Sequence, residues 1–232
     1  MTITEALEVK QEPPTVKGAA MRARIVAAAA KVFAKKGYVL TRVADITKAA
    51  STSHGNFYRH FNNKDEALIA ALRSPLEELY NSFKLQLDTP VLIEERQLVQ
   101  ATIESMKVYA RHRKLLRVMR EAAARGEQAS FYSLWINERS RFLKRYVNWL
   151  NGLKEAGYLG SEFDAEHAAE VLMALREQIA YMKIGLAVTP PSEEEIEQLG
   201  FHCAAIWYRG VFASVVAAAE AKPNLKLART RR

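Results

Sequence analysis

Between residues 131 and 153, six bulky apolar side chains recur at steps of four, seven, four, three and four: Phe131, Trp135, Phe142, Tyr146, Trp149 and Leu153. Only an α-helix puts such a series on one face, because a strand turns its side chains over at every residue. The same period returns along most of the chain. It aligns Ile25, Ala29, Val32 and Phe33 on one stripe and Leu172, Leu175, Ile179 and Met182 on another. Only 10 Gly and 7 Pro interrupt 232 residues, and no alternating run of β-branched residues is long enough for a sheet. The expected fold class is all-α. With 49% hydrophobic residues, the chain has the material for a core and is not a disordered polymer.

Helix punctuation divides this pattern. Lys35 and Lys36 followed by Gly37 read as the end of a first helix. Thr41 reads as the N-cap of a short second helix that turns Val43, Ile46 and Ala50 inward, and Ser53 as the N-cap of a third with Phe57 and Phe61 inward. Asn63 and Glu66 resemble a capping box opening a fourth helix, which Pro75 interrupts or kinks. A helix over residues 91–109 is expected next, then a short one with Leu115, Met119 and Ala122, then a long one over 128–156 stopped by Gly157. Asp164 caps another, Pro190 and Pro191 break the chain, and Ser192 with Glu195 boxes the start of the last helix.

Charge is distributed unevenly along the chain. Residues 21–64 hold nine basic side chains and a single acid, Asp45, whereas residues 65–220 hold 18 basic and 22 acidic ones. The net charge of +8 therefore hides a basic block attached to a slightly acidic body. Such a block is the footprint of a polyanion partner, most often nucleic acid. Other classes lack their signatures. One cysteine permits no internal disulfide. The longest largely apolar run, residues 211–219, is far below the roughly 20 residues that span a bilayer. The first ten residues carry Glu5 and Glu8 and no signal-peptide pattern, so a soluble, cytoplasmic protein without membrane contact is expected. No nucleophile elbow, dinucleotide fingerprint or phosphate loop occurs, and the five His form no metal-ligand spacing. No enzyme, catalytic residue, metal site or cofactor is expected.

Inside the basic block, three short helices, the last two joined by Ala50-Ser51-Thr52-Ser53, describe a helix-turn-helix. The third presents His54, Asn56 and Arg59 outward, groups that reach base edges or phosphates in a major groove. Residues 21–68 resemble the DNA-binding region of the tetracycline-repressor (TetR) family of transcriptional regulators. The resemblance rests on Arg24-Ile25-Val26 through Val32-Phe33, Lys36-Gly37-Tyr38, Thr41-Arg42-Val43-Ala44-Asp45-Ile46, His54-Gly55-Asn56-Phe57-Tyr58-Arg59-His60-Phe61 and Asn63-Lys64-Asp65-Glu66-Ala67-Leu68. The chain departs from it in the turn, where Ser51 stands at a position usually Gly and Thr52 at one usually Val. A Ser in a left-handed turn is strained by about 1 kcal/mol, and the Thr52 hydroxyl needs a backbone carbonyl as partner.

The resemblance implies roles for individual residues. Thr41 and Arg42 hold phosphate at the start of the second helix. Ser53, His54, Gly55 and Asn56 approach the groove. Tyr58, His60 and Lys64 grip phosphates, and Arg22 and Arg24 reach the flanking backbone or minor groove. It also implies four segments: a flexible arm over residues 1–18, the DNA-binding domain over 19–66, a helical ligand-binding and dimerisation domain over 67–220, and a basic tail over 221–232. The fourth helix joins the two domains.

Two further sites follow from the resemblance. A pocket for a largely apolar small molecule is drawn from Met106, Tyr109, Trp135, Phe142, Tyr146 and Met173, with Glu138 and Arg176 as polar residues on apolar stripes. A homodimer interface is drawn from Leu175, Ile179 and Met182 on one helix and Cys203, Ile206, Trp207 and Gly210 on the last, where small residues permit close helix approach. The expected partners are double-stranded DNA, an effector and a second copy of the chain. The expected activity is repression at a palindromic operator, released by the effector. The alternative is a non-specific architectural DNA binder without a ligand.

Overall fold

Eight α-helices follow one another in the computed structural model, with no strand among the described residues, which are 15–83, 92–124 and 129–221. They are α1 (Val16–Leu40), α2 (Val43–Ala49), α3 (His54–His60), α4 (Lys64–Ser82), α5 (Glu95–Ala124), α6 (Ala129–Glu155), α7 (Ala165–Ile179) and α8 (Glu193–Ala221), with a π-helical turn (Ala180–Gly185) after α7. Most of the expected arm and basic tail lies outside the described residues. The chain forms two compact units. Of the described residues, the first holds those up to Glu78 and within His112–Glu138, and the second those within Leu79–Arg111 and from Arg139 to Ala221. Helices α4, α5 and α6 thus each contribute residues to both units.

In the first unit, the alanine-rich α1 draws on the best helix former and is capped by Thr15, whose Oγ1 accepts from Gly18 N at 3.1 Å. Gly37, at φ 73°, breaks its regular course. A Cβ there would meet nothing within 4 Å, so the demand for glycine comes from the backbone alone. Ile25, Ala29 and Phe33 of α1, Ile46 of α2, Phe57 and Phe61 of the α3 segment, and Leu68 and Leu72 of α4 are fully buried. Residues 112–138 join this unit through the 2.6 Å pair between His112 Nε2 and Glu78, and through Phe131, whose ring lies 5.1 Å edge-on from Tyr38.

Several boundaries differ from those expected. The residues read as a helix over 91–109 and a short one behind it form one continuous α5. Pro75 is buried inside α4, which continues to Ser82. Thr41 does not cap α2. Its Oγ1 donates back to Gly37 O at 2.6 Å, and the α2 N-terminus is closed by Asp45, whose carboxylate accepts from Arg42 N at 3.0 Å. The caps of α7 and α8 act as read. Asp164 Oδ1 accepts from His167 N at 2.9 Å, and Ser192 and Glu195 exchange bonds of 2.7 and 3.2 Å. Gly157, at φ 80°, closes α6 in a Schellman arrangement, with Tyr158 N bonded to Leu153 O.

The second unit has an aromatic core. Trp149, Trp207 and Phe212 form a triangle with ring centroids 5.9–6.4 Å apart, and Phe83 meets Tyr146 edge-on at 5.2 Å. Trp207 Nε1 donates to Ala168 O at 3.0 Å, which ties α8 to α7. Met106, Ile184, Ile196 and Cys203 form a second cluster, with Tyr109, Leu175 and Ile179 packed against it. Two residues drawn for the dimer interface, Cys203 and Trp207, are therefore core of their own chain. Burial pushes the Cys203 thiol up to about 11, so it behaves as a small apolar group. Gly200 is also used internally, since a Cβ there would lie 2.7 Å from the Ile103 side chain and 3.0 Å from its Cα.

Candidate nucleic-acid interface

The reading helix α3 has only seven residues, too few to be stable alone. Ser53 opens it by accepting from Asn56 N at 3.2 Å. Phe57 and Phe61 anchor it, with ring centroids 5.7 Å apart. Its other end is held by Arg22. The Arg22 Nη1 donates to His60 O at 2.6 Å, and the guanidinium lies 4.3 Å over the Phe61 ring. A cation at the carbonyl end of a helix complements its dipole.

The turn before α3 has the strained residue that its sequence suggests. Ser51 has φ 49°, the one positive value on a non-glycine residue among the described residues. Its carbonyl accepts from Arg24 Nη2 at 3.4 Å. Thr52 finds a different partner from the one expected: Oγ1 accepts from Asn56 Nδ2 at 2.7 Å. This bond uses the Asn56 amide to brace the turn. Ser51→Gly should relieve the left-handed strain and stabilise the first unit by about 0.5–1 kcal/mol, read as a higher denaturation midpoint. An unchanged or lower midpoint would show that the turn is not strained.

The structure separates the sequence-derived contact residues into two groups. Arg24, Arg42, Ser53, His54, Gly55 and Tyr58 are exposed, and Asn56 is half-buried. Arg22, Thr41 and His60 are buried. Lys64 is drawn inward, with Nζ donating to Tyr38 O and Thr41 O at 3.0 Å each and lying 4.3 Å over the Tyr38 ring. Together with the bond from Tyr38 Oη to Asp65 (2.9 Å), it clasps the end of α1 to the start of α4. In this structure Arg22, Thr41 and Lys64 bond to backbone carbonyls of the reading head, and His60 supplies one of those carbonyls. Two further exposed cations, Lys48 on α2 and Arg59 on α3, lie in the last turns of these helices. Arg59 was legible as an outward group of the third helix, whereas Lys48 had no motif to mark it.

The only acid of the basic block is neutralised in place. Lys36, 2.6 Å away, and then the Arg42 N–H hold the Asp45 carboxyl below its ordinary 3.8. Asp45 also adds a negative charge at the N-terminus of α2, where the helix dipole favours it.

For the pocket residues, the second unit brings Phe142, Tyr146, Met173 and Arg176 together in its larger cluster and places Met106 and Tyr109 in or against the smaller one. Trp135 and Glu138 belong to the first unit, the former half-buried and the latter buried. Among the interface residues, Leu175 and Ile179 are half-buried, and Met182, Ile206 and Gly210 are exposed. No group of acidic, His or Cys side chains suited to a metal occurs among the described residues. None of their helices is long and apolar enough to cross a membrane.

A short capped helix, presented by two buried phenylalanines on a basic three-helix head, defines a helix-turn-helix DNA-binding protein. Residues 25–72 match the family described as "Bacterial regulatory proteins, tetR family". The HTH-type transcriptional repressor BepR of Brucella suis is 27% identical over 164 residues, 68% of this chain and 78% of that protein. The HTH-type transcriptional regulator TtgR of Pseudomonas putida is 43% identical over 60 residues, 26% of this chain and 28% of that one. Salmonella enterica GusR shares the fold, with a TM-score of 0.66 and 21% identity over 87% of this chain and 100% of that one. Over residues 25–72 the chain thus matches the tetR family, and it is a DNA-binding transcriptional regulator.

Proposed function

We propose that the protein is a repressor that binds a palindromic operator as a homodimer and is released when a small molecule enters its second unit. The observation that carries this reading is the outer face of α2 and α3. Arg42, Ser53, His54, Gly55, Tyr58 and Arg59 are exposed there, on a head held by internal cation-to-carbonyl bonds. We assign base-edge contact to His54 and Asn56, close backbone approach to Gly55, and phosphate contact to Arg42, Lys48, Tyr58 and Arg59. Arg22, Thr41, His60 and Lys64 act one layer behind, setting the pitch of α3, while the exposed Arg24 reaches the flanking backbone or minor groove. Domain limits near residues 19–66 and 67–220 and a cytoplasmic location fit this reading.

The dimer is assigned to α7 and α8. Along α8, His202, Ile206, Arg209, Gly210 and Ala213 face outward at steps of four, three, one and three. Ile206 is 66% exposed and Met182, in the π-helical turn, 49%. Large apolar side chains this exposed suit a second copy of the chain. Two-fold symmetry would then set two reading heads on two half-sites.

The test is selection of genome fragments by the purified protein, followed by a shift assay across salt. A palindromic site is expected, bound at least about 10³-fold more tightly than random duplex, with log affinity falling linearly in log salt at about −0.9 per phosphate neutralised. Equal binding of cognate and random duplex would overturn the operator reading in favour of an architectural role.

A further inference from the structure

Arg176 of α7 is only 8% exposed, among Phe83, Phe142, Tyr146 and Met173. Nη1 donates to Tyr146 Oη at 3.1 Å and Nη2 reaches Met173 Sδ at 3.5 Å. The guanidinium carbon lies 5.4, 5.3 and 6.0 Å from the ring centroids of Phe83, Phe142 and Tyr146. All of these partners are neutral. Among the described residues, no carboxylate forms an ion pair with Arg176. Arg139 of the same unit, by contrast, is half-buried and contacts both Glu170 (2.7 Å) and Glu177 (3.3 Å).

An arginine keeps its proton in proteins, and a buried charge is strongly disfavoured unless an opposite charge meets it. The neighbouring ionisable groups do not supply one. Burial pushes the Tyr146 phenol up to about 12, outweighing the pull of Arg176 and Arg145. Burial likewise keeps the Cys203 thiol protonated. The faces of aromatic rings offer partial negative charge, which holds a cation in place but does not neutralise it.

We propose that Arg176 and Tyr146 form the receptor for a carboxylate, so that the effector is a monoanion with an apolar body. This rests on the ligand-released reading above. The guanidinium donates two parallel bonds to a carboxylate. Tyr146 accepts from Arg176 and keeps its own O–H to donate to the same anion. Phe83, Phe142 and Met173 would surround the apolar body next to the carboxylate. A single net charge fits the site better than a dianion. The nearby Arg145 is engaged elsewhere, with Nη1 donating to Phe83 O at 3.2 Å and its guanidinium 5.7 Å from the Tyr80 ring.

The experiment uses the full-length protein and matched acid and amide pairs: benzoate with benzamide, phenylacetate with phenylacetamide, and octanoate with octanamide. Calorimetry should show at least one acid binding about tenfold or more tightly than its amide. Arg176→Gln should erase that difference and Arg176→Lys should keep part of it. A panel in which no acid exceeds its amide overturns the proposal. Because Arg176→Gln could simply fail to fold, Arg176→Met is measured without any added ligand. Removing an uncompensated cation should leave the melting temperature unchanged or raise it by about 2–8 °C. A fall of similar size would make Arg176 a structural keystone and overturn the proposal. Operator binding by the unliganded wild-type protein separates the two readings. Specific DNA binding without acid preference removes only the carboxylate, and acid preference without specific DNA binding removes only the repressor.

Discussion

Ile206→Glu is expected to convert the proposed dimer to monomer and to weaken operator binding by about 10²–10⁴-fold. The side chain is two-thirds exposed on α8, so the substitution disturbs little inside its own chain. At a two-fold interface, each introduced carboxylate would be buried against apolar surface with no opposite charge, and the two copies would repel. The larger effect is on DNA. In a dimer, binding of one head holds the second at high effective concentration over its half-site, and a monomer loses that advantage entirely. Sedimentation velocity reads the first effect and a shift assay on full and half operators reads the second. A variant that stays dimeric would displace the interface from this face of α8. A monomer that keeps full affinity would show that one head suffices.

The apolar stripe of α8 also shows what the sequence left open. The helix is apolar on nearly every side, so periodicity fixes its existence but not which face turns inward. Cys203 and Trp207 therefore looked as suitable for an interface as Ile206, yet they pack into the core while Ile206 points out. Gly200 misleads for the same reason. A small residue marks a close approach, and here the approach is to Ile103 of the same chain.

Local chemistry was the most legible layer. Ser53, Asp164, Ser192 and Gly157 each do what their residue type does at a helix end, because a cap is decided within a few residues. Boundaries that depend on distant partners were not legible. A helix over 91–109 and a separate short one were expected, but His112 pairs with Glu78 and Arg113 is buried, and α5 runs through the junction. The basic block was legible as a total charge, though not in the direction of each charge. Arg22 and Lys64 contribute to that total, yet they are bonded to carbonyls at the ends of α3 and α1. A sequence gives a cation's position along a helix, and packing decides whether it turns toward a phosphate or toward a backbone oxygen.

That division within the reading head leads to a second large effect. Phe57→Ala should destabilise the first unit by about 3–5 kcal/mol and lower operator affinity by more than about 100-fold, while the protein still sediments as the wild type does. Phe57 is fully buried, packs against Phe61 and faces away from the exposed edge, so it has no direct contact to lose with DNA. Its effect comes from the shortness of α3, which holds its conformation only through its anchors and caps. Tyr58→Phe on the same helix is the contrast. Tyr58 is exposed, so removing its hydroxyl should change stability by less than about 1 kcal/mol and weaken DNA binding only about 3–10-fold, the worth of one phosphate hydrogen bond. Hydrogen exchange over α2 and α3 with the shift assay distinguishes the two variants. Faster exchange with lost binding is expected for Phe57→Ala, and native exchange with weakened binding for Tyr58→Phe. If Phe57→Ala bound operator within about threefold of wild type, the pitch of α3 would be set by the internal bonds of Arg22 and Asn56 alone, and the aromatic anchor would be dispensable for reading.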